Sequence, residues 1–192
     1  TNTMPCRGAV FIATSSDGFI AKEDGSVDWL NELQATMPEG EDGGFSAFLA
    51  SVQGMVMGRK TFETVCGFVE GGMASWPYPI PVVVLTSDPA KVTIPDVLKK
   101  EKLEVSSKTP AELLDHFERE HGAKEVYVDG GSTIRAFMEA KLLDRIIITE
   151  VPATLGSGIA LFTEAQRATL KEVSEPKNFE NGFVQRAFSV EA

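Results

Sequence analysis

The feature that most limits how this chain can fold is its punctuation: β-branched apolar runs alternate with helix-like stretches that carry start and stop signals. "PVVVLTS" is a strand-like run closed by Asp88-Pro89. "TPAELLDHFEREHG" follows, with Thr109 at the N-cap, Pro110 at the first helical position, Glu112 completing a capping box and Gly122 as the stop. Leu113, Leu114 and Phe117 give that helix an apolar face. "EVYVDGG" then reads as a strand, "STIRAFMEAKL" as a helix and "DRIIITEV" as a strand. Upstream, "GAVFIATS" is a buried strand and "GFSAFLASV" a helix. "GMVMG" is a short strand and "RKTFETVCGF" another helix. "SDGFIAKEDGSVDWL" carries two Asp-Gly pairs and reads as an ordered loop. "LKEVSEPKNFENGFVQRAFSV" is two strand-like runs around Asn181-Gly182, a hairpin signal.

Such alternation predicts a three-layer α/β fold with a mostly parallel central sheet, right-handed crossovers and a C-terminal antiparallel hairpin. At 192 residues and 43% hydrophobic content, with no linker-like stretch, a single domain over residues 1–192 is expected. No apolar run reaches bilayer length, and "TNTMPCRG" lacks the basic start and apolar run of a signal peptide. Met4 is a candidate natural start. Cys6 and Cys66 form neither a zinc pattern nor a Cys-x-x-Cys pair, so both read as reduced structural thiols in a cytoplasmic protein. The net charge of −10 argues against nucleic acid and anionic membranes as partners, because both call for a basic surface. A small phosphate-bearing ligand needs only local N–H groups and a few cations, and it stays open. His116 and His121 are not at metal-binding spacing and read as surface residues.

Ligands of parallel α/β sheets sit beyond the carboxyl ends of the strands, and three such ends share a chemistry. "YVDGGSTIRAFM" places two glycines and two hydroxyls between a strand and a helix. The glycines permit close backbone approach and the helix start offers N–H groups to an anion, although a ligand-free tight turn would use the same residues. "VMGRKTF" supplies Gly58, Arg59, Lys60 and Thr61, and "VVVLTS" ends in Thr86 and Ser87. Singly, each has an ordinary reading as a cap, a solvated basic pair or a turn. Together they suit an extended ligand with several phosphates. The G-x-G-x-x-G fingerprint and its ribose-binding acid are absent, and basic and hydroxyl side chains in their place favour NADPH over NADH.

"VFIATSSDGFIAKEDGSVDWL", "VMGRKTFE", "VYVDGGSTIRAFM" and "IIITEVPATLGSGIALF" together resemble, in that order, the dihydrofolate reductase superfamily. The nearest branch is the reductase domain of the bacterial riboflavin-biosynthesis deaminase–reductase. The resemblance implies an NADPH-dependent reductase of dihydrofolate-reductase-like fold. By it, backbone at Ala13 and Ile20 flanks the nicotinamide end, with Asp17 and Gly18 in the loop beside it. Gly58, Arg59 and Thr61 hold the pyrophosphate and adenosine phosphate, helped by Thr86 and Ser87, while Gly130, Gly131, Ser132 and Thr133 cradle the diphosphate. Two departures stand out. Ser15-Ser16-Asp17-Gly18 replaces the branch's Ser-Leu-Asp-Gly, and Asp129 stands where that branch often has Glu. No H-x-E or P-C-x-x-C of the zinc deaminase half is present.

Hydride transfer to an imine or carbonyl needs a proton source, and Asp17 and Asp129 are the candidate catalytic residues. Turn formation and helix capping are their structural alternatives. The first functional reading is NADPH-dependent reduction of the ribosyl side chain of a phosphorylated aminopyrimidine, with Lys22 or Arg135 as candidate phosphate contacts. Reduction of dihydrofolate or a related pterin is the second, with Asp42 or Asp28 as the substrate acid. A third, of another class, is a non-catalytic NADPH-binding sensor or accessory protein. Trp76 to Pro79, "WPYP", either walls a pocket or seals the core. The relationship also makes a homodimer plausible.

Overall fold

Strands and helices alternate along the chain in the computed structural model, which describes residues 5–191. Met4, the candidate start, lies outside those residues. The chain begins with β1 (Arg7–Ser15), β2 (Phe19–Ala21), α1 (Asp28–Gln34), α2 (Phe45–Ser51), β3 (Met55–Gly58) and α3 (Arg59–Glu70). It continues through β4 (Val82–Leu85), β5 (Leu103–Ser106), α4 (Pro110–His121), β6 (Glu125–Asp129) and α5 (Gly131–Glu139). The last elements are β7 (Leu143–Val151), β8 (Ile159–Ala160), α6 (Glu164–Arg167), β9 (Leu170–Glu172), β10 (Lys177–Asn178) and β11 (Val184–Val190). They gather into two units. One takes the described residues up to Ala9 together with Leu49–Leu142, and the other takes Val10–Phe48 and the described residues from Leu143 onward.

The first unit is built on parallel pairing. The start of β1 pairs with β6, β6 with β3, β3 with β4 and β4 with β5. Met55 to Met57 and Val82 to Val84 are buried without interruption, as strands covered on both faces require. The helix with the full set of caps forms as predicted. Thr109 accepts from the Glu112 amide, the Glu112 carboxylate accepts from the Thr109 amide, and Gly122 closes α4 in the left-handed conformation at φ 61°. Leu113, Leu114 and Phe117 turn inward.

In the second unit β7 and β11 pair antiparallel, with Ile146 opposite Phe188 and Ile148 opposite Arg186. The central sheet is thus mostly parallel with a C-terminal antiparallel pair. The hairpin at Asn181-Gly182 is present, and its first arm is divided: β10 pairs with the near end of β11 and β9 with the far end. Pro176, between the two, has no N–H for the ladder.

"SDGFIAKEDGSVDWL" departs from the loop expected there. Phe19–Ala21 forms β2, paired antiparallel with β8. Asp28–Gln34 forms α1, whose Trp29 joins Val151 and Phe183 in a cluster packed by Ala13, Leu30, Leu33 and Met37. Both elements are short and depend on partners more than a hundred residues away, so local pattern did not reveal them.

Candidate nucleotide and active site

In the first unit, β3 and β6 run side by side with Met57 opposite Asp129, so their carboxyl ends emerge together. Each passes straight into a helix whose N-cap is glycine, Gly58 for α3 and Gly130 for α5, and neither helix start has a side-chain cap. Capping varies along the chain: α4 and α6 both begin with a threonine capping box, while α1, which starts after Val27, has no side-chain cap either. The first amides of α3 and α5 therefore have no side-chain acceptor from their N-cap glycines, an arrangement that can receive an anion. The two turns also back onto each other. A Cβ on Gly130 would stand 2.8 Å from the Thr61 hydroxyl and 3.6 Å from the Gly58 nitrogen. A Cβ on Gly58 would stand 2.8 Å from the Thr133 hydroxyl. Gly130 has φ 95° as well, so an L side chain there is strained whatever the space.

The other residues expected at this end have mixed positions. Arg59 is partly exposed and lies 3.4 Å from Glu63, one turn along α3. Gly131 is partly exposed, Ser132 exposed and Thr133 buried. Thr86, beyond β4, accepts from the Asp88 amide at 3.2 Å, and Ser87 is exposed.

Asp129 ends β6. Its Oδ1 accepts from the Gly130 amide at 2.9 Å, and its carboxyl is also hydrogen-bonded by the phenol of Tyr127. Desolvation dominates and raises the carboxyl above the usual range, against the opposing effect of those two donors. Tyr127 is almost wholly buried and its phenol is raised by burial and by Asp129; Tyr78 is raised for the same two reasons. Trp76 packs edge-on against Tyr78, ring centroids 5.1 Å apart, and against Phe62 at 6.2 Å. The Trp76–Pro79 segment thereby buries Tyr78 near Asp129. Neither tyrosine was singled out from sequence. The i, i+2 spacing of Tyr127 and Asp129 on one strand was the available signal, since such residues share a face.

In the second unit the Asp17 carboxylate is held by the Ser15 hydroxyl at 2.6 Å and by the amides of Leu155 at 3.2 Å and Gly156 at 2.7 Å. The Ser15 hydroxyl, followed by the backbone amides, holds this carboxyl below the usual range. Ser16 adds hydrogen bonds to the Ala153 carbonyl and the Thr154 hydroxyl, each 2.9 Å. The 15–17 turn is thus stapled to 153–156. Gly18, at φ 85°, gives its carbonyl to the Arg167 guanidinium at 3.3 Å. Ala13 packs beside the Trp29 cluster and Ile20 lies within β2. The buried Trp29 Nε1–H has no protein acceptor among the described residues.

The alternative acids are engaged or exposed. Asp42 accepts from the amides of Gly44 at 2.9 Å and Ser46 at 2.8 Å at the start of α2, an exposed turn. Asp28 is exposed in the first turn of α1. Lys22 is exposed and Arg135 partly so. His116 corrects the surface reading: its side chain is 15% exposed, with Nε2 3.3 Å from Glu104 but not aligned as a hydrogen bond. The helix turns His116 toward β5, which residue spacing along one helix could not reveal. His121 is exposed, and both cysteines are free and buried. Among the described residues no group of His, Cys, Asp and Glu could hold a metal ion, and no helix is long and apolar enough to cross a membrane.

The mostly parallel sheet with its C-terminal antiparallel pair is an α/β fold shared with dihydrofolate reductase. Residues 8–182 match the RibD C-terminal domain, and the chain belongs to that family. It is 33% identical over 178 residues to the uncharacterized protein YwjB of Bacillus subtilis (strain 168), spanning 92% of this chain and 94% of that protein. A crystal structure from Shewanella sp. PV-4, provisionally named as a riboflavin biosynthesis protein, is 32% identical with a TM-score of 0.80 and coverage of 97% and 99%. Acinetobacter baumannii RibD shares the fold at TM-score 0.68 and 15% identity; the match spans 98% of this chain and 58% of that longer one. Enterococcus faecalis dihydrofolate reductase, solved with NADP(H), shares it at TM-score 0.56 and 19% identity over 95% and 94% of the two chains.

Proposed function

We propose that this chain is an NADPH-dependent reductase acting on a phosphorylated ribosylamino-pyrimidine, converting its ribosyl side chain to ribityl. The observation that carries the reading is the pair of glycine-started, uncapped helices α3 and α5, backed onto each other through Thr61 and Thr133. A diphosphate fits that chemistry, since two helix starts whose N-cap residues offer no side-chain acceptor lie side by side at neighbouring strand ends. Gly58, Arg59, Thr61, Gly130, Gly131, Ser132 and Thr133 would hold the phosphates, with Thr86 and Ser87 toward the adenosine phosphate. Ala13 and Ile20 would present backbone to the nicotinamide end. The bound cofactor supplies the hydride.

The two candidate acids then take different roles. Asp17 is ionised and fully occupied by donors, which suits holding the 15–18 turn in place. Asp129 is partly buried with its carboxyl raised by desolvation, a shift toward the protonated form that a general acid needs. Asp42, as a helix cap, offers little support to the pterin reading.

An NADPH oxidation assay with the aminopyrimidine phosphate, dihydrofolate and a panel of simple carbonyl compounds tests the proposal. Loss of cofactor absorbance with the aminopyrimidine alone is the expected outcome. Turnover with dihydrofolate instead would replace the substrate. Tight NADPH binding with no turnover would make the chain a sensor.

A further inference from the structure

Tyr127 has no part in the sequence-based assignments, yet it is the side chain most intimately tied to Asp129. It lies two residues earlier on β6, where alternate residues share a face, and it is 4% exposed. Its phenol reaches the Asp129 carboxyl, whose Oδ1 is already taken by the Gly130 amide. Gly130 is the N-cap of α5, so the carboxyl sits against the turn whose first amides are open to an anion. The groups facing Asp129 are Tyr127 from β6, Tyr78 from the segment between α3 and β4, and the Gly130 amide. No lysine, arginine or histidine among the described residues contributes to its titration.

We propose that Tyr127 is a positioning residue that holds the Asp129 carboxyl against the Gly130 turn and sets the pH range over which that turn admits an anionic ligand. An ionised carboxylate beside a diphosphate repels it, whereas the neutral acid does not. The phenol donates to the carboxylate form, so it limits how far enclosure raises Asp129; without it the neutral acid persists to higher pH. The ligand half of this inference rests on the nucleotide reading above, and the Tyr127–Asp129 half does not.

Two measurements separate the halves. The first is infrared titration of the whole chain without ligand, following the protonated-carboxyl band that disappears in Asp129→Asn. Its midpoint is expected to move to higher pH in Tyr127→Phe, and an unmoved midpoint overturns the positioning role. The ring stays buried in this variant, and thermal melting checks that it is folded. Should it fail to fold, fluorotyrosine substitution in a Tyr78→Phe background labels Tyr127 alone, since the sequence has 2 tyrosines. The stronger donor is expected to lower the midpoint, and no movement again overturns the role.

The second measurement is NADPH affinity against pH. The dissociation constant is expected to rise by up to about tenfold per pH unit above the Asp129 midpoint, with the rise displaced upward in Tyr127→Phe and absent in Asp129→Asn. A flat wild-type profile overturns control of the turn. Absence of NADPH binding at every pH removes the nucleotide reading and this control with it, while the infrared midpoint still decides the role of Tyr127.

Discussion

The hydroxyl of Thr61 lies 2.8 Å from the point where a Cβ on Gly130 would stand, so the first turn of α3 closes the space behind the first turn of α5. Gly130 meets two constraints there, the threonine behind it and its own φ of 95°. Gly58 meets one, the Thr133 hydroxyl, with ordinary backbone angles.

Gly130→Ala is therefore expected to cost about 1–3 kcal/mol of stability, while Gly58→Ala costs less. Both should weaken NADPH binding, because the displaced Thr61 and Thr133 are among the proposed phosphate contacts. Thermal melting and fluorescence titration read the two effects separately. A Gly130→Ala protein with wild-type melting and affinity would leave the Gly130 turn without a role in nucleotide binding.

Arg59 offers a test of cofactor choice. Its partner Glu63 is exposed and their separation is 3.4 Å, so the guanidinium is free to exchange that pair for a phosphate. Arg59→Gln is expected to weaken NADPH by roughly 10-fold or more, the usual scale of a charge-assisted bond, and NADH much less. Equal losses for the two nucleotides would place Arg59 away from the extra phosphate.

Asp17 makes the stapled turn dependent on acid. Its folded-state carboxyl is lowered, so its contribution is fully present above the unfolded value near 3.8 and is lost as pH falls through the folded value. Asp17→Asn should be less stable than wild type at neutral pH, with the two melting curves converging below about pH 4. Turnover in the proposed reduction should fall in this variant even where the protein stays folded, because the 15–18 turn loses its tie to 153–156. A gap in stability that persists into strong acid would sink the assignment.

α4 provides a check that touches none of the site. Thr109→Ala removes the acceptor for the Glu112 amide and is expected to cost about 1 kcal/mol, a drop of roughly 2–4 °C in melting temperature. NADPH affinity should not change.

Gly54 tests packing in the first unit. A Cβ there would come 2.3 Å from the Phe117 ring, and Phe117 is fully buried. Gly54→Ala should destabilise by about 1–3 kcal/mol through overpacking, visible in denaturant unfolding. Gly54→Ala with Phe117→Leu should recover part of that loss.

What could be read from sequence was whatever short-range chemistry specifies. Thr109, Pro110, Glu112 and Gly122 announce α4 because a capping box and a left-handed stop are satisfied within one helix. Val82 to Val84 announce a strand by β-branched composition alone. The glycine turns at Gly58 and Gly130 were visible for the same reason. Phe19–Ala21 was not, since β2 exists through pairing with β8. The division of the hairpin arm into β9 and β10 likewise follows from which end of β11 each segment meets.

The candidate acids divide along the same line. From sequence Asp17 and Asp129 were equivalent, each an aspartate before a glycine. Folding brings the amides of Leu155 and Gly156 to one and desolvates the carboxyl of the other beside Tyr127, so their titrations move in opposite directions. By itself the sequence determined the order of elements, the caps and the glycine turns, because backbone preference and residue period act over a few residues. Only the tertiary structure decided which carboxyl is lowered and which is raised, because the amides of Leu155 and Gly156 come from a distant segment and the desolvation of Asp129 is set by the packing around it.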